Sequence, residues 1–292
     1  MKHNLILAYQ TEAVLGEGSI WNHEKKVLHW VDILNGHIHT FDPIKNLNET
    51  INTEFMVGTV VPSEDGGFVI ATNFGFFQLD EFDKIPDFIL HPEKALKENR
   101  FNDGKCDPRG RFWAGTMSLN EEPKKGSLYC LEKGLCRKME EGVSISNGIV
   151  WTSDHKKMYY VDTPEKCVFV YDFDVETGNI SNKKVAFHIP DDQGSPDGMT
   201  IDAEDKLWIA HWGGSQVARW DPLTGEKLYT INIPATQVTS VAFGGTTLND
   251  IYITTARVGL SDEELKKQPL AGSLFCYRQS GFMGVKANFY KK

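Results

Sequence analysis

No stretch of this chain approaches the roughly 20 consecutive apolar residues of a membrane-spanning helix, and the N-terminal run Leu5-Ile6-Leu7-Ala8 is too short for the core of a secretory leader. Neither a span nor a leader is expected, and no membrane partner. Basic charge is also in deficit: 31 Lys and Arg stand against 40 Asp and Glu, a formal charge of −9. That balance argues against nucleic acid and suits a small substrate or a cation. Cysteine is sparse. Cys106, Cys130, Cys136, Cys167 and Cys276 contain no CxxC pair, and their odd number prevents complete intramolecular pairing, so a reduced cytoplasmic protein is expected. The sequons at Asn48 and Asn179 are then accidental. Helical periodicity is scarce; Ser261 to Lys267 is the best candidate, with Ser261 as its cap.

Several catalytic signatures are absent as well. His23-Glu24-Lys25-Lys26 starts like a zincin helix but has Val27 where the second His should stand, and it falls in a turn. No Gly-x-Ser-x-Gly elbow occurs, which argues against a serine lactonase of the α/β-hydrolase type. Gly16-Glu17-Gly18 is not completed into a dinucleotide fingerprint because Trp21 holds the last position. There is no regular EF-hand loop. No Pro/Gly/Ser linker divides the chain, and 40% apolar with 24% charged residues suits one large soluble domain over residues 1–292.

What is present is a repeat. A small apolar run crosses a turn of Asp, Gly, Asn or Lys and resumes as an aromatic-rich strand, as in Ser19-Ile20-Trp21 to Val27-Leu28-His29-Trp30-Val31-Asp32. Five further copies open at Val61, Lys105, Ile149, Met199 and Val241, with spacings of 42, 44, 44, 50 and 42 residues. Blades of a β-propeller recur at about 40 to 50 residues. Most copies carry a third short strand, for example Val168-Phe169-Val170-Tyr171-Asp172, and such alternating runs bounded by turn residues are strands. An all-β, six-bladed propeller with four-stranded blades is therefore expected. The orphan strand Leu5-Ile6-Leu7-Ala8-Tyr9 is predicted to close the last blade. A β-sandwich also has many short strands but requires no repeat of near-constant length. Trp30, Trp113, Tyr160, Trp208 and Tyr252 are read as blade-to-blade core, and His211 with Trp212 as packing residues rather than channel residues.

The innermost strands of a propeller line its axis, so equivalent positions in different blades face a common point. Just before four openings stand Glu17, Asn102-Asp103-Gly104, Asn147-Gly148 and Asp197-Gly198, while Thr59-Val60 and Thr239-Ser240 hold the other two places. Any one Asn-Gly or Asp-Gly is an ordinary turn former, and Asp65-Gly66 is read as a turn without function. The shared place in the repeat is what turns the others into candidate ligands. Oxygen donors without thiolates form a hard set suited to calcium, magnesium or manganese, with zinc also accepted.

Five motifs in order, Leu15-Gly16-Glu17-Gly18-Ser19-Ile20-Trp21, Arg100-Phe101-Asn102-Asp103-Gly104-Lys105, Gly115-Thr116-Met117, Ser146-Asn147-Gly148 and Ser195-Pro196-Asp197-Gly198-Met199, resemble the SMP-30/gluconolactonase/regucalcin family. The likeness is strongest to its regucalcin-like members and spans essentially the whole chain. It implies one divalent metal in the central channel and hydrolysis of sugar lactones, typically gluconolactone. By position it implies Glu17, Asn147 and Asp197 as metal ligands, Asp197 also as proton acceptor and donor, and Arg100 and Asn102 as substrate-binding residues, with Asp103 beside the site. One position departs. Where regucalcins place a substrate-contacting glutamate three residues after Gly-Thr-Met, this chain has Asn120 followed by Glu121, so either Asn120 takes the contact or a one-residue shift brings in Glu121.

A carboxylate ligated to a cation is a poor base because the charge lowers its pKa. Asp197 is accordingly either the base or chiefly a ligand, with a water activated by the ion as nucleophile. The competing functions are a non-enzymatic calcium-binding protein and a propeller hydrolase of other lactones or organophosphate esters. Arg100 and Asn102 favour the enzyme, because a buffer needs no sugar-facing donors. The metal's identity stays open, as does a monomer against a small homo-oligomer.

Overall fold

The computed structural model describes residues 4–80 and 86–292. Six four-stranded antiparallel sheets form a ring, a six-bladed β-propeller. From blade 1 to blade 6 the innermost strands are Gly16–Asn22, Val57–Pro62, Asn99–Cys106, Ser146–Trp151, Ser195–Ile201 and Val238–Gly244. They are buried nearly throughout because one face meets the neighbouring blade and the other lines the axis. The outermost strands are far more exposed. Asn179–His188, with Lys183 and Lys184, leaves most of its side chains exposed and blunts an edge that would otherwise invite pairing.

Blade 6 takes its fourth strand from the chain's beginning. Leu5–Tyr9 pairs antiparallel with Leu274–Tyr277, with Leu5 opposite Tyr277 and Leu7 opposite Phe275. The sequence expectation of a closing strand therefore holds. So does the capped helix: Asp262–Lys267 is α-helical, Ser261 accepts from the Glu264 amide, and Glu264 reaches back to the Ser261 amide.

The aromatic residues of the second strands pack between blades, as the repeat predicts. Trp30, Trp113, Tyr160, Trp208 and Tyr252 are all at most 1% exposed. Trp113 of blade 3 meets Trp151 of blade 4 at 5.8 Å, Trp208 of blade 5 meets Phe243 of blade 6 at 5.6 Å, and Tyr252 of blade 6 stacks on Trp21 of blade 1 at 5.5 Å. One arrangement thus recurs around the ring, each such pair contributing about 0.5–1.5 kcal/mol beyond its buried area.

The six innermost strands begin ahead of the apolar runs that mark them in the sequence, and all six share a defect. Their pairing slips between Glu17 and Ile20, Val57 and Thr59, Phe101 and Gly104, Ser146 and Ile149, Pro196 and Met199, and Val238 and Ser240. A β-bulge at each place re-aims the side chains next to it. The candidate ligands thus lie inside bulged strands rather than in turns before them. Gly18 takes a positive φ of 60° there, and a Cβ on Gly148 would sit 2.5 Å from that of Met199 in the next blade. The Thr59 and Thr239 hydroxyls, which bring no carboxylate, donate across blades to Gly104 O and Gly16 O.

The far end of the axis is crossed by the C-terminal segment. Tyr290 N donates to Pro62 O, Lys291 N to Gly110 O, and Asn288 Nδ2 to Cys106 O, while Phe289 stacks on His23. His23 to Lys26 form the expected turn, whose Glu24 and Lys25 amides donate to Asn22 Oδ1. Among the described residues no helix is long and apolar enough to cross a membrane.

Candidate functional site

At the end of the axis away from that segment, a cavity of about 490 Å³ is lined by Glu17, Arg100, Asn102, Asn147 and Asp197, together with Glu121, Thr163, Trp212 and Gln237. The bulges of blades 1, 3, 4 and 5 thus bring five separated candidates to one place. Asn120 lies outside the wall and is exposed; Glu121, next to it, lines the cavity. Glu121, exposed like Asn120, takes a positive φ of 53° in a turn where its amide donates to Ser118 O, and its charge acts on Arg100.

A chain of hydrogen bonds fixes the polar wall. Arg100 Nη1 donates to Asn102 Oδ1 at 2.6 Å and to Phe101 O at 3.0 Å. Asn102 Nδ2 donates to Ser146 O at 2.8 Å and to Asn147 Oδ1 at 3.2 Å. Asn147 Nδ2 donates to Thr163 Oγ1, which donates in turn to Pro196 O, both at 2.8 Å. With its nitrogen engaged by Thr163, Asn147 presents its oxygen with one lone pair taken by Asn102 and another available.

Glu17 and Asp197 are buried with their carboxyl groups in hydrogen-bonding contact, and Glu17 Oε2 also accepts from Gly18 N at 2.9 Å. Burial pushes Glu17 up to about 8, with Asp103 adding to the rise. Burial, then Glu17 and Asp103, push Asp197 well up, and burial raises Asp103 too. Arg100 is lowered to about 10 by burial and held there by Glu17, Glu121 and Asp197, so it stays cationic at neutral pH.

These residues fit a divalent cation. Asp197 Oδ1 and Gln237 Oε1 are buried without a hydrogen-bond partner, and two adjoining carboxyls sharing one site call for a proton or a cation between them. The donors are all oxygens, as a hard ion prefers. No three His, Cys, Asp or Glu side chains converge as a metal-binding group among the described residues. An ion here would be held by the Glu17 and Asp197 carboxylates with the Asn147 amide oxygen as third protein ligand.

The same carboxyls make a pH prediction for ion-free protein. A carboxyl whose folded pKa lies above its unfolded value binds more protons when folded, so its stability contribution is complete below the unfolded value and lost as pH rises through the folded one. For Glu17 that window runs from about 4.5 to about 8. Chelator-treated protein will melt at progressively lower temperature across it, and the loss will shrink when a divalent ion is restored. A flat or rising melting temperature over that window contradicts the burial of these carboxyls.

Sequence reasoning passed over Thr163 and Gln237, and Trp212 was assigned to packing. Trp212 lines the cavity, whereas His211 is fully buried, its Nδ1 against Gln193 O and its Nε2 accepting from Trp220 Nε1. A signal for Thr163 existed. Asp32 and Asp162 end equivalent second strands and accept pairs of backbone amides, from Val14 and Leu15 and from Ser144 and Ile145, so the residue after each starts a loop beside the axis.

The family model for the SMP-30/gluconolactonase/LRE-like region matches residues 15–257. YvrE of Bacillus subtilis (strain 168), provisionally described as a sugar lactone lactonase, is 39% identical over 271 residues, covering 92% of this chain and 93% of its own. Regucalcin of Danio rerio is 38% identical over 288 residues, covering 94% of each. The crystal structure of regucalcin from Agrobacterium tumefaciens, a calcium-binding protein, superposes with a TM-score of 0.94 at 28% identity, covering 98% of this chain and 97% of that one.

Proposed function

Since the chain belongs to the SMP-30/gluconolactonase/LRE-like family, we propose that it is a metal-dependent lactonase, a hydrolase that opens sugar lactones in the cavity around Glu17, Asn147 and Asp197. The observation that carries this reading is the presence, on one cavity wall, of a paired carboxyl site and of the donor array built on Arg100 and Asn102. A cavity of about 490 Å³ is far larger than a bound ion needs, which favours a substrate over simple calcium storage.

Glu17, Asn147 and Asp197 would hold a divalent ion, which would supply Lewis acidity toward the lactone carbonyl and charge for the oxyanion. Asp197 Oδ1, the oxygen left without a partner, takes a proton from the attacking water and returns one to the ring oxygen as the ester C–O bond breaks. Glu17, in contact with the same carboxyl, sets how readily that proton is held. Arg100 and Asn102, locked to each other, orient the sugar hydroxyls, and Arg100 draws the carboxylate product away from the acidic wall. Glu121 takes the sugar contact that Asn120, outside the wall, is not placed to make. The proposal also places the protein in the cytoplasm, on its five free cysteines.

The test is an assay of chelated protein against a panel of aldonolactones, with calcium, magnesium, manganese and zinc restored singly. Recovery of lactone opening with at least one ion is expected. If ions bind and no lactone or related ester is opened, the calcium-binding reading replaces this one.

A further inference from the structure

The channel below the carboxyls contains a cation that neither the catalytic reading nor the ligand set uses. Lys105 leaves the innermost strand of blade 3, and its Nζ donates to Met199 O of blade 5 at 2.5 Å. Those blades are not neighbours, so the side chain reaches past blade 4 and across the channel. On one side of it lie Asp103 and Glu17. On the other is a second cavity of about 280 Å³, walled by Trp21, Trp151 and Phe243 and closed by Lys286 and Asn288 of the C-terminal segment. Lys105 lines this second cavity while its charge is felt by Asp103 and Glu17 on the acidic side.

An ammonium has three donors; burial pulls the Lys105 pKa down, Asp103 and Glu17 oppose this by favouring its charged form, and Lys105 in turn favours the charged form of Asp103. Carboxylates buried together repel, and an unpaired buried charge is strongly destabilising. A fixed cation beneath them relieves part of that cost in the absence of any metal. It must also repel a divalent ion entering from above, because both cations are attracted to the same oxygens.

We infer that Lys105 is a counter-cation of the channel, which keeps the acidic site folded before an ion arrives and sets an upper limit on how tightly the ion is then held. The inference rests on the reading of Glu17, Asn147 and Asp197 as ion ligands. Lys105 touches no substrate in this account; it is a positioning residue that acts through the carboxylates.

Chelator-stripped wild type, Lys105→Met, Lys105→Gln and Lys105→Arg are titrated calorimetrically with calcium and, separately, manganese at mildly alkaline pH, and each is melted with and without the ion. Lys105→Met and Lys105→Gln will bind the ion about tenfold more tightly than wild type, within the usual range of coupling between two sites. Stripped of metal they will melt lower than wild type, and Lys105→Arg will restore both properties. The Gln variant keeps a donor for Met199 O and stands in if the Met variant does not fold. A lysine needed only for packing would loosen the site when removed, so unchanged or weaker ion binding in both variants overturns the inference. If wild type binds neither ion, the ligand reading of Glu17, Asn147 and Asp197 has failed first, and the counter-cation falls with it.

Discussion

Asp197→Ala will lower kcat for lactone opening by about a thousandfold or more, within the range of losses seen when a positioned acid-base group is removed. Two roles vanish together in this variant, a carboxylate beside Glu17 and the unpartnered Oδ1 that faces the cavity. Asn102→Ala provides the contrast. It removes the oxygen that Arg100 grips and the donor to Asn147 Oδ1, so it will act chiefly by raising KM. Steady-state kinetics at saturating metal, with circular dichroism to show that both variants fold, separates the two. Turnover by Asp197→Ala close to wild type would remove this residue from the chemistry.

The largest loss of stability is expected far from the cavity, at Asp107→Ala, which will destabilise the protein by about 3–5 kcal/mol. Asp107 is fully buried in the turn between the first two strands of blade 3. Its carboxylate accepts from Arg111 Nε at 2.5 Å, Trp113 Nε1 at 2.9 Å, and the amides of Arg109 and Arg111. Arg111 is itself 2% exposed and donates onward to Val175 O and Glu176 O of blade 4. Without Asp107 that guanidinium is left as a buried charge lacking its counter-ion, and the tie between blades 3 and 4 is weakened. Asp65→Ala, in the exposed turn of blade 2, will stay within about 0.5 kcal/mol of wild type. Chemical denaturation of the two variants side by side decides it; equal midpoints would show that the Arg111 network relaxes at little cost.

The same turn shows why the fold could be read from the sequence. Asp107 and Trp113 recur as Asp202 and Trp208, six residues apart in both cases, and Trp208 Nε1 donates to Asp202 Oδ2 as Trp113 does to Asp107. Repetition of that kind fixes strand order and blade length without any long-range information. Glu17, Asn147 and Asp197 each hold the same place in their repeats, and the structure brings them to the wall of one cavity. What was not legible depends on breaks in the repeat. The bulges that turn Glu17 and Asp197 inward are slips of register between strands, which no single strand records. Thr163 opens a short 3-10 turn, Trp212 ends a second strand, and Gln237 precedes an innermost strand, so they share no place in the repeat. Asn120 and Glu121 are adjacent in one turn, and only the three-dimensional structure puts Glu121 on the cavity wall. Lys105 sits in the portion of its strand that reads as ordinary core beside Cys106, and only the ring reveals what it faces.

Because Leu5–Tyr9 hydrogen-bonds to Leu274–Tyr277, a strand synthesised before blade 1 has its partner in blade 6. During synthesis that strand must wait, unzipped, while five blades assemble behind it, and contacts of such long sequence separation form slowly. A nascent or truncated chain therefore presents two sticky edges at once, and pairing between the edges of different chains competes with ring closure.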